Sequence, residues 1–245
     1  MSSGYRNIIK AITPPVIIDA CRKLKQRFKG DTSPGISPGE NWRNYIGGMW
    51  DEIGQLQFDF LVKNGLKPGH KLLDIGCGSL RGGVHFIRYL ENGNYFGIDK
   101  EQWLLDAATY QEIPRYGLND KTIHLIQRDD FDFSVFNVTF DYAIAQSVFT
   151  HLPWNSILRC LVNVEKVLKN DGKFYATFFE DKTGDHQTES ITHQPGGITT
   201  YPDKDPFHYK FDVFLDLAKR ALLEVKYIGD WNHSRNQMMM VFSKP

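Results

Sequence analysis

The densest run of residues able to do chemistry is 72–83, which reads Leu-Leu-Asp-Ile-Gly-Cys-Gly-Ser-Leu-Arg-Gly-Gly. Gly76 and Gly78 let backbone approach a ligand closely, and a helix beginning just after them aims free amides and a positive dipole end at any carboxylate. Asp74 sets the sign of the guest. A carboxylate at that strand end repels phosphates and attracts the ammonium of a bound amino acid. A dinucleotide fingerprint also wants glycine where Arg81 stands. Further along, Asp99 closes a second apolar run and is placed to accept both ribose hydroxyls of a nucleoside.

Such acids need strands that end side by side. Apolar runs at 71–75, 95–98, 123–126, 140–145 and 173–179 alternate with helical patterns, and two more, 225–229 and 238–242, flank a polar turn. The spacing predicts an α/β fold: a doubly wound, mainly parallel, seven-stranded, Rossmann-like sheet with a terminal antiparallel strand pair. In a helix over about 155–170, Ile157, Leu161, Val164 and Leu168 share one face, and Asn170, Asp171 and Gly172 stop it. Ligands of this architecture sit beyond the carboxyl ends of the strands.

Ahead of the sheet, residues 1–65 read as a helical extension, leaving 66–245 as the catalytic domain. Pro14 and Pro15 open a first helix with Ile17, Cys21, Leu24 and Phe28 on one face and Arg22, Lys23, Lys25, Arg27 and Lys29 on the other. A linker over 30–41 follows, then a second helix through Ile53, Leu56 and Phe60, stopped by Gly65. The basic face can stay in solvent or dock on an anionic membrane surface or an acidic partner.

Twenty-nine basic and 29 acidic side chains leave no net charge, which argues against a protein that grips nucleic acid over its whole surface. The three cysteines, Cys21, Cys77 and Cys160, are odd in number and widely spaced, so neither a disulfide framework nor a paired-cysteine zinc site is expected and a reducing cytoplasm is. No stretch approaches the roughly 20 apolar residues of a membrane span, and the first residues lack the pattern of a secretory signal.

Taken together, these segments resemble class I S-adenosylmethionine-dependent methyltransferases. The family's first motif is matched by Asp74-Ile-Gly-Cys-Gly, its ribose acid by Asp99 in Tyr95-Phe-Gly-Ile-Asp, and its acid near the adenine amine by Asp129, with Asp130 able to exchange roles. The segment Phe140-Asp-Tyr-Ala-Ile-Ala-Gln-Ser-Val-Phe-Thr-His-Leu-Pro looks like the family's fourth strand and its following turn. Gly48-Met-Trp-Asp-Glu-Ile-Gly and Tyr227-Ile-Gly-Asp-Trp-Asn-His look like a bacterial subgroup associated with glycan assembly. The resemblance implies S-adenosyl-L-methionine as cofactor. It places Asp74, Gly76, Cys77, Gly78, Arg81, Asp99, Lys100, Asp129, Asp130 and Gln146 around it, with Trp50 in a loop folding over it. Cys77 reads better as a small loop residue than as a nucleophile, and Arg81 as a contact to the cofactor carboxylate or a loop cap.

Methyl transfer is an in-line displacement, so the protein must hold acceptor and methyl collinear and, for a hydroxyl acceptor, remove a proton. His151 stands where related small-molecule methyltransferases carry an active-site histidine, and an imidazole pKa near 6.5 suits a base; the alternative is a helix cap. Glu180, just past the fifth strand, and His208 are the other candidates. The long segment 181–206 reads as a lid or binding loop, with His186, His193, Tyr201, Asp203 and Asp205 suited to a hydroxyl-rich acceptor, while His233 lies in the terminal turn. A DNA base is disfavoured, since Ala145-Gln146-Ser147-Val148 lacks the motif that positions exocyclic amines, and no metal is expected. The expectation is O-methylation of a small molecule or glycan hydroxyl, with a catalytically silent cofactor-binding or scaffold protein, or an NAD-dependent oxidoreductase, as alternatives.

Overall fold

The computed structural model describes residues 41–245. The basic first helix, Cys21 and the linker up to residue 40 lie outside the described residues. The chain divides into two units, residues 1–45 and 46–245. Within the first, α1 spans Asn41–Tyr45. The boundary therefore falls twenty residues before the expected one at 65/66, because the helix expected to belong to the extension is part of the second unit. That helix, α2 (Trp50–Lys63), carries Asp51 and Glu52 at its positive end and buries Ile53, Gln57 and Leu61 on one face. Leu61 joins Leu66, Leu72 and Phe86 in one apolar cluster, so removing the helix would strip one side of the sheet.

The sheet runs β3-β2-β1-β4-β5-β10-β9. The strands are β1 (Leu72–Ile75), β2 (Tyr95–Asp99), β3 (His124–Gln127), β4 (Phe140–Ala145), β5 (Leu168–Glu180), β9 (Glu224–Gly229) and β10 (Met238–Ser243). β1 to β5 are parallel, and β10 is antiparallel to both β5 and β9, which is the expected terminal pair. A two-residue strand, β8 (His208–Tyr209), adds to the carboxyl end of β5 and makes an eighth.

Alternation along β1 sorts the two faces. Leu73 and Ile75 join the cluster built with α6 (Trp154–Val167) and α7 (Phe211–Arg220), while Leu72 faces α2 and α3 (Gly83–Tyr89). Asp74 shares the parity of Leu72. On α6 the residues Ile157, Cys160, Leu161, Val164 and Val167 are buried, a stripe at helical spacing. The helix stops at the extended Leu168, earlier than the Asn-Asp-Gly signal suggests. Register jumps from Phe140↔Leu168 to Tyr142↔Lys173, so Asn170, Asp171 and Gly172 form a bulge inside β5.

Past β2, α4 (Gln102–Ala107) continues through a π turn (Ala108–Glu112) into α5 (Ile113–Arg115). The long segment after β5 contains a hairpin, β6 (Ile191–His193) with β7 (Ile198–Thr200). No described helix is long and apolar enough to cross a membrane.

Candidate functional site

The carboxyl edge of the sheet brings the cofactor candidates together at β1, β2 and β4. Gly76 has φ +69, and a Cβ there would lie 2.5 Å from Val148 Cγ2, so glycine is required both by backbone and by space. Cys77 lies over β2, where a Cβ on Gly97 would meet its sulfur at 2.8 Å. Burial first, then the charges of Asp74 and Asp99, pushes the Cys77 thiol well up, which opposes thiolate chemistry.

Asp99 accepts from the Gly78 amide at 2.8 Å and from the Glu101 amide at 2.8 Å. Burial raises its pKa and the two amides oppose that. A carboxylate offers roughly four lone-pair directions, so about two remain for a ligand's hydroxyls. Asp74 accepts from the Tyr95 hydroxyl at 2.6 Å. Burial raises its carboxyl to about 7, with Tyr95 and Arg81 pulling down and Asp99 pushing up. An ammonium beside it would favour the ionised form again.

Arg81 is buried, with 6% exposure. One terminal nitrogen donates to the Ile46 carbonyl at 3.0 Å and the Gly48 carbonyl at 2.9 Å, the other to Gln146 Oε1 at 2.8 Å. Its Nε and the Ser79 hydroxyl are buried without a partner. Residues 46–49 are thereby drawn against the 76–83 loop, where a Cβ on Gly78 would meet Ile46 Cγ2 at 3.3 Å. The covering loop is the one expected before Trp50, but Trp50 itself is buried and donates to the Tyr116 hydroxyl at 2.8 Å.

Asp129 and Asp130 part company. The Asp130 carboxylate is forked by Arg128, which holds it well below the usual range, and also caps the Asp132 amide. Asp129 is exposed, and no described hydrogen bond engages its carboxylate. Lys100 points into solvent, with Glu101 Oε1 3.8 Å from its ammonium.

At β4, β5 and β10 the edge changes character. Gln146 donates to the Ser147 hydroxyl at 2.7 Å, and the Ser147 amide to Thr177 Oγ1 at 2.8 Å. Thr177 donates to Gln237 Oε1 at 2.8 Å, and Gln237 Nε2 to the Ser147 hydroxyl at 2.8 Å. His233 is buried beside this network; its Nδ1 accepts from the Arg235 amide at 3.2 Å, and its Nε2 lies 3.1 Å from Gln146 Nε2. Burial, then Arg81 and Arg235, lower its pKa to about 4. Ser147, Thr177 and Gln237 were not among the sequence candidates. Their signals are a threonine inside the apolar run 173–179 and a glutamine directly before three methionines.

The three base candidates are scattered. His151, on a 3-10 turn (Phe149–His151) after β4, has Nδ1 2.5 Å from Asp205 Oδ1. Both side chains are exposed, at 55% and 58%. The Asp205 segment is held to that turn by the Phe207 amide on the Thr150 carbonyl at 2.7 Å and the Tyr209 hydroxyl on the Leu152 carbonyl at 2.7 Å. Glu180 accepts from the Tyr227 hydroxyl at 2.8 Å. His208 is buried with both nitrogens engaged: Nε2 lies 3.0 Å from the His186 carbonyl and Nδ1 2.8 Å from Thr200 Oγ1, itself 2.8 Å from His193 Nε2. A carbonyl only accepts, so His208 carries its proton on Nε2, accepts from Thr200, and Thr200 accepts from His193. That relay leaves His208 no lone pair for an acceptor, and it corrects the expectation of a free base there. His186 Nδ1 lies 3.2 Å from the buried Asp181, which caps the same turn.

Among the described residues no group of three His, Cys, Asp or Glu is placed to hold a metal ion. Residues 73–174 match the family described as "Methyltransferase domain". In fold the chain is similar to an S-adenosylmethionine-dependent methyltransferase from Clostridium acetobutylicum ATCC 824, at TM-score 0.60 and 12% identity over 82% of this chain and 94% of that one. It is similar to magnesium protoporphyrin IX methyltransferase from Synechocystis PCC 6803 with bound SAH, at TM-score 0.58 and 13% identity over 98% and 100%. A TehB-like SAM-dependent methyltransferase from Corynebacterium glutamicum ATCC 13032 Kitasato follows at TM-score 0.55 and 21% identity over 84% and 95%. Residues 73–174 carry a methyltransferase domain, and the fold is that of S-adenosylmethionine-dependent methyltransferases. The residues present fit that cofactor: a glycine cradle that a Cβ would fill, a half-satisfied Asp99 for the ribose and a buried Asp74 for the ammonium.

Proposed function

We propose that the protein methylates a hydroxyl group on a small molecule or glycan, with His151 as the general base. The observation that carries this reading is the His151–Asp205 pair at 2.5 Å. With Asp205 accepting from Nδ1–H, the lone pair of the imidazole is on Nε2, at an exposed edge beyond β4 where an acceptor can reach it. When bound, S-adenosylmethionine supplies a methyl on a positively charged sulfur that departs as a neutral thioether. The acceptor oxygen forms the new bond to the methyl carbon while its proton passes to His151 Nε2. Asp205, still hydrogen-bonded at Nδ1, stabilises the imidazolium that results.

The neutral network of Gln146, Ser147, Thr177 and Gln237 supports the same reading, because uncharged donors and acceptors suit hydroxyls better than a cationic amine. A reducing compartment belongs to it too, with Cys77 and Cys160 both free thiols. The test is transfer of labelled methyl from S-adenosylmethionine to a panel of sugars, nucleotide sugars and phenols. Label in an ether supports the reading. Label confined to amines, or none transferred while the cofactor binds, contradicts it.

A further inference from the structure

The sheet ends on β3 at one side and on β9 at the other, and among the described residues neither outer edge carries a paired strand. β9 is the longer of the two, six residues against four. Its strand partner is β10, so alternate amides and carbonyls along its outer side are left for a guest or for water. The regular part of that edge is short and sharply bounded. Leu222, at φ +56, turns the chain out of α7 just before the strand. At the other end Gly229 pairs with Met239 and Tyr227 with Met240, which leaves Ile228 as an extra, bulged residue. Between these limits Val225 and Tyr227 face α7: Val225 packs against the core cluster on that side, and the Tyr227 ring lies 5.0 Å from that of Phe211. Glu224 and Lys226 alternate to the opposite face, where both are exposed. No described ion pair or hydrogen bond engages either side chain.

We propose that β9 pairs with β9 of a second copy of this chain, antiparallel and centred on Val225, to give a two-fold dimer with one continuous sheet. In that register Glu224 of each copy stands directly opposite Lys226 of the other, so the same ion pair forms twice across the axis. The exposed residues that bound the edge, Leu222 at 72% and Ile228 at 36%, come level with one another across the joint as well. Other registers lose this. Centring on Lys226 sets two ammoniums against each other, and a half-step shift to either side leaves Glu224 and Lys226 opposite uncharged residues. A bulge and a charged side chain protect an open edge against indiscriminate pairing; here they leave one self-complementary register favourable, which is what selects a second copy over a foreign strand. Two strands this short bury less than the roughly 1,200 Å² of a standard interface, so the dimer is a concentration-dependent one. The inference stands apart from the proposed chemistry, although Tyr227, in the joint, donates to Glu180.

Sedimentation velocity on the full chain, from micromolar to millimolar protein and at low and high salt, tests this. Wild type should shift from monomer toward dimer as concentration rises, and less so at high salt. Glu224→Lys and Lys226→Glu each set like charges opposite one another and should weaken the dimer by about tenfold or more. Combining the two restores both pairs with their signs exchanged and should bring the dimer back to within about threefold of wild type. The substituted side chains are exposed, so the monomers should melt as wild type does, which separates lost pairing from lost folding. Hydrogen exchange gives a second reading: the β9 amides should slow with concentration in wild type and not in the single variants. A chain that stays monomeric throughout, leaving the edge to a strand from another protein, overturns the proposal. So does a dimer indifferent to both single variants, or one that the double variant fails to recover.

Discussion

The two halves of the sheet's carboxyl edge are built by different means. At β1 and β2, backbone does most of the holding: Gly76 is fixed by its φ and Asp99 by two amides, while Asp74 is held by the Tyr95 hydroxyl on the adjoining strand. At β4, β5 and β10, side chains hold one another across the chain. Ser147 and Gln237 are 90 positions apart, His151 and Asp205 are 54 apart. The first half is held mainly by local backbone geometry, whereas the second is assembled from loops. Damage to the first should therefore appear in stability and cofactor affinity, and damage to the second in turnover.

The sharpest break should come at Gly76. Gly76→Ala places a side chain at positive φ and against Val148, at a combined cost of about 2–5 kcal/mol. A melting temperature lower by about 4 °C or more is expected, and an unchanged one would mean that the loop is not held as described.

On the other half, His151→Ala should lower turnover by about a hundredfold while S-adenosylhomocysteine affinity stays put. Asp205→Asn should follow in the same direction with a smaller loss, because the imidazole keeps a partner at Nδ1 but loses the charge that stabilises its protonated form. Steady-state kinetics with a transferable acceptor reads both.

His208→Ala separates structure from chemistry within that half. It deprives the Thr200 hydroxyl of its acceptor and unties the β6–β7 hairpin from His186, for about 1–3 kcal/mol of stability. Residual turnover per folded molecule should exceed that of His151→Ala; the reverse order would return His208 to the list of bases.

The smallest effect is a slope. An unfolded aspartate ionises near 3.9, whereas burial lifts folded Asp74 to about 7. Between those values the folded state keeps a proton that the unfolded state releases, so this residue makes stability fall as pH rises from about 4 to about 7, with no further change above. Asp74→Asn should therefore gain on wild type across that window in thermal melts, and a difference independent of pH would place Asp74 in a more solvated setting.

The contrast between the halves also explains what could be read from sequence. The strand runs, the terminal pair and the acids at strand ends were legible because each is a local pattern, in which apolar periodicity and a glycine turn constrain neighbours. The helix at Trp50 was legible as a helix but not as part of the core, since an amphipathic stripe does not name the surface it packs on. Asp205 was visible as a loop carboxylate, yet its partner was not, and the His193–Thr200–His208 relay looked like three unrelated polar residues. Arg235, half-buried in a polar turn, carried no signal at all; only folding brings it to the carbonyl of Gly47.

Whether the edge at β1 and β2 holds S-adenosylmethionine is decided by calorimetry with S-adenosylhomocysteine, on wild type and on Asp99→Ala, with NAD as the competitor. Binding at low-millimolar affinity or better is expected, weakened by about 1.5 to 3 kcal/mol when the charge-assisted ribose bonds are lost. Tighter binding of NAD than of S-adenosylhomocysteine, or an Asp99→Ala protein that binds as wild type does, would contradict it.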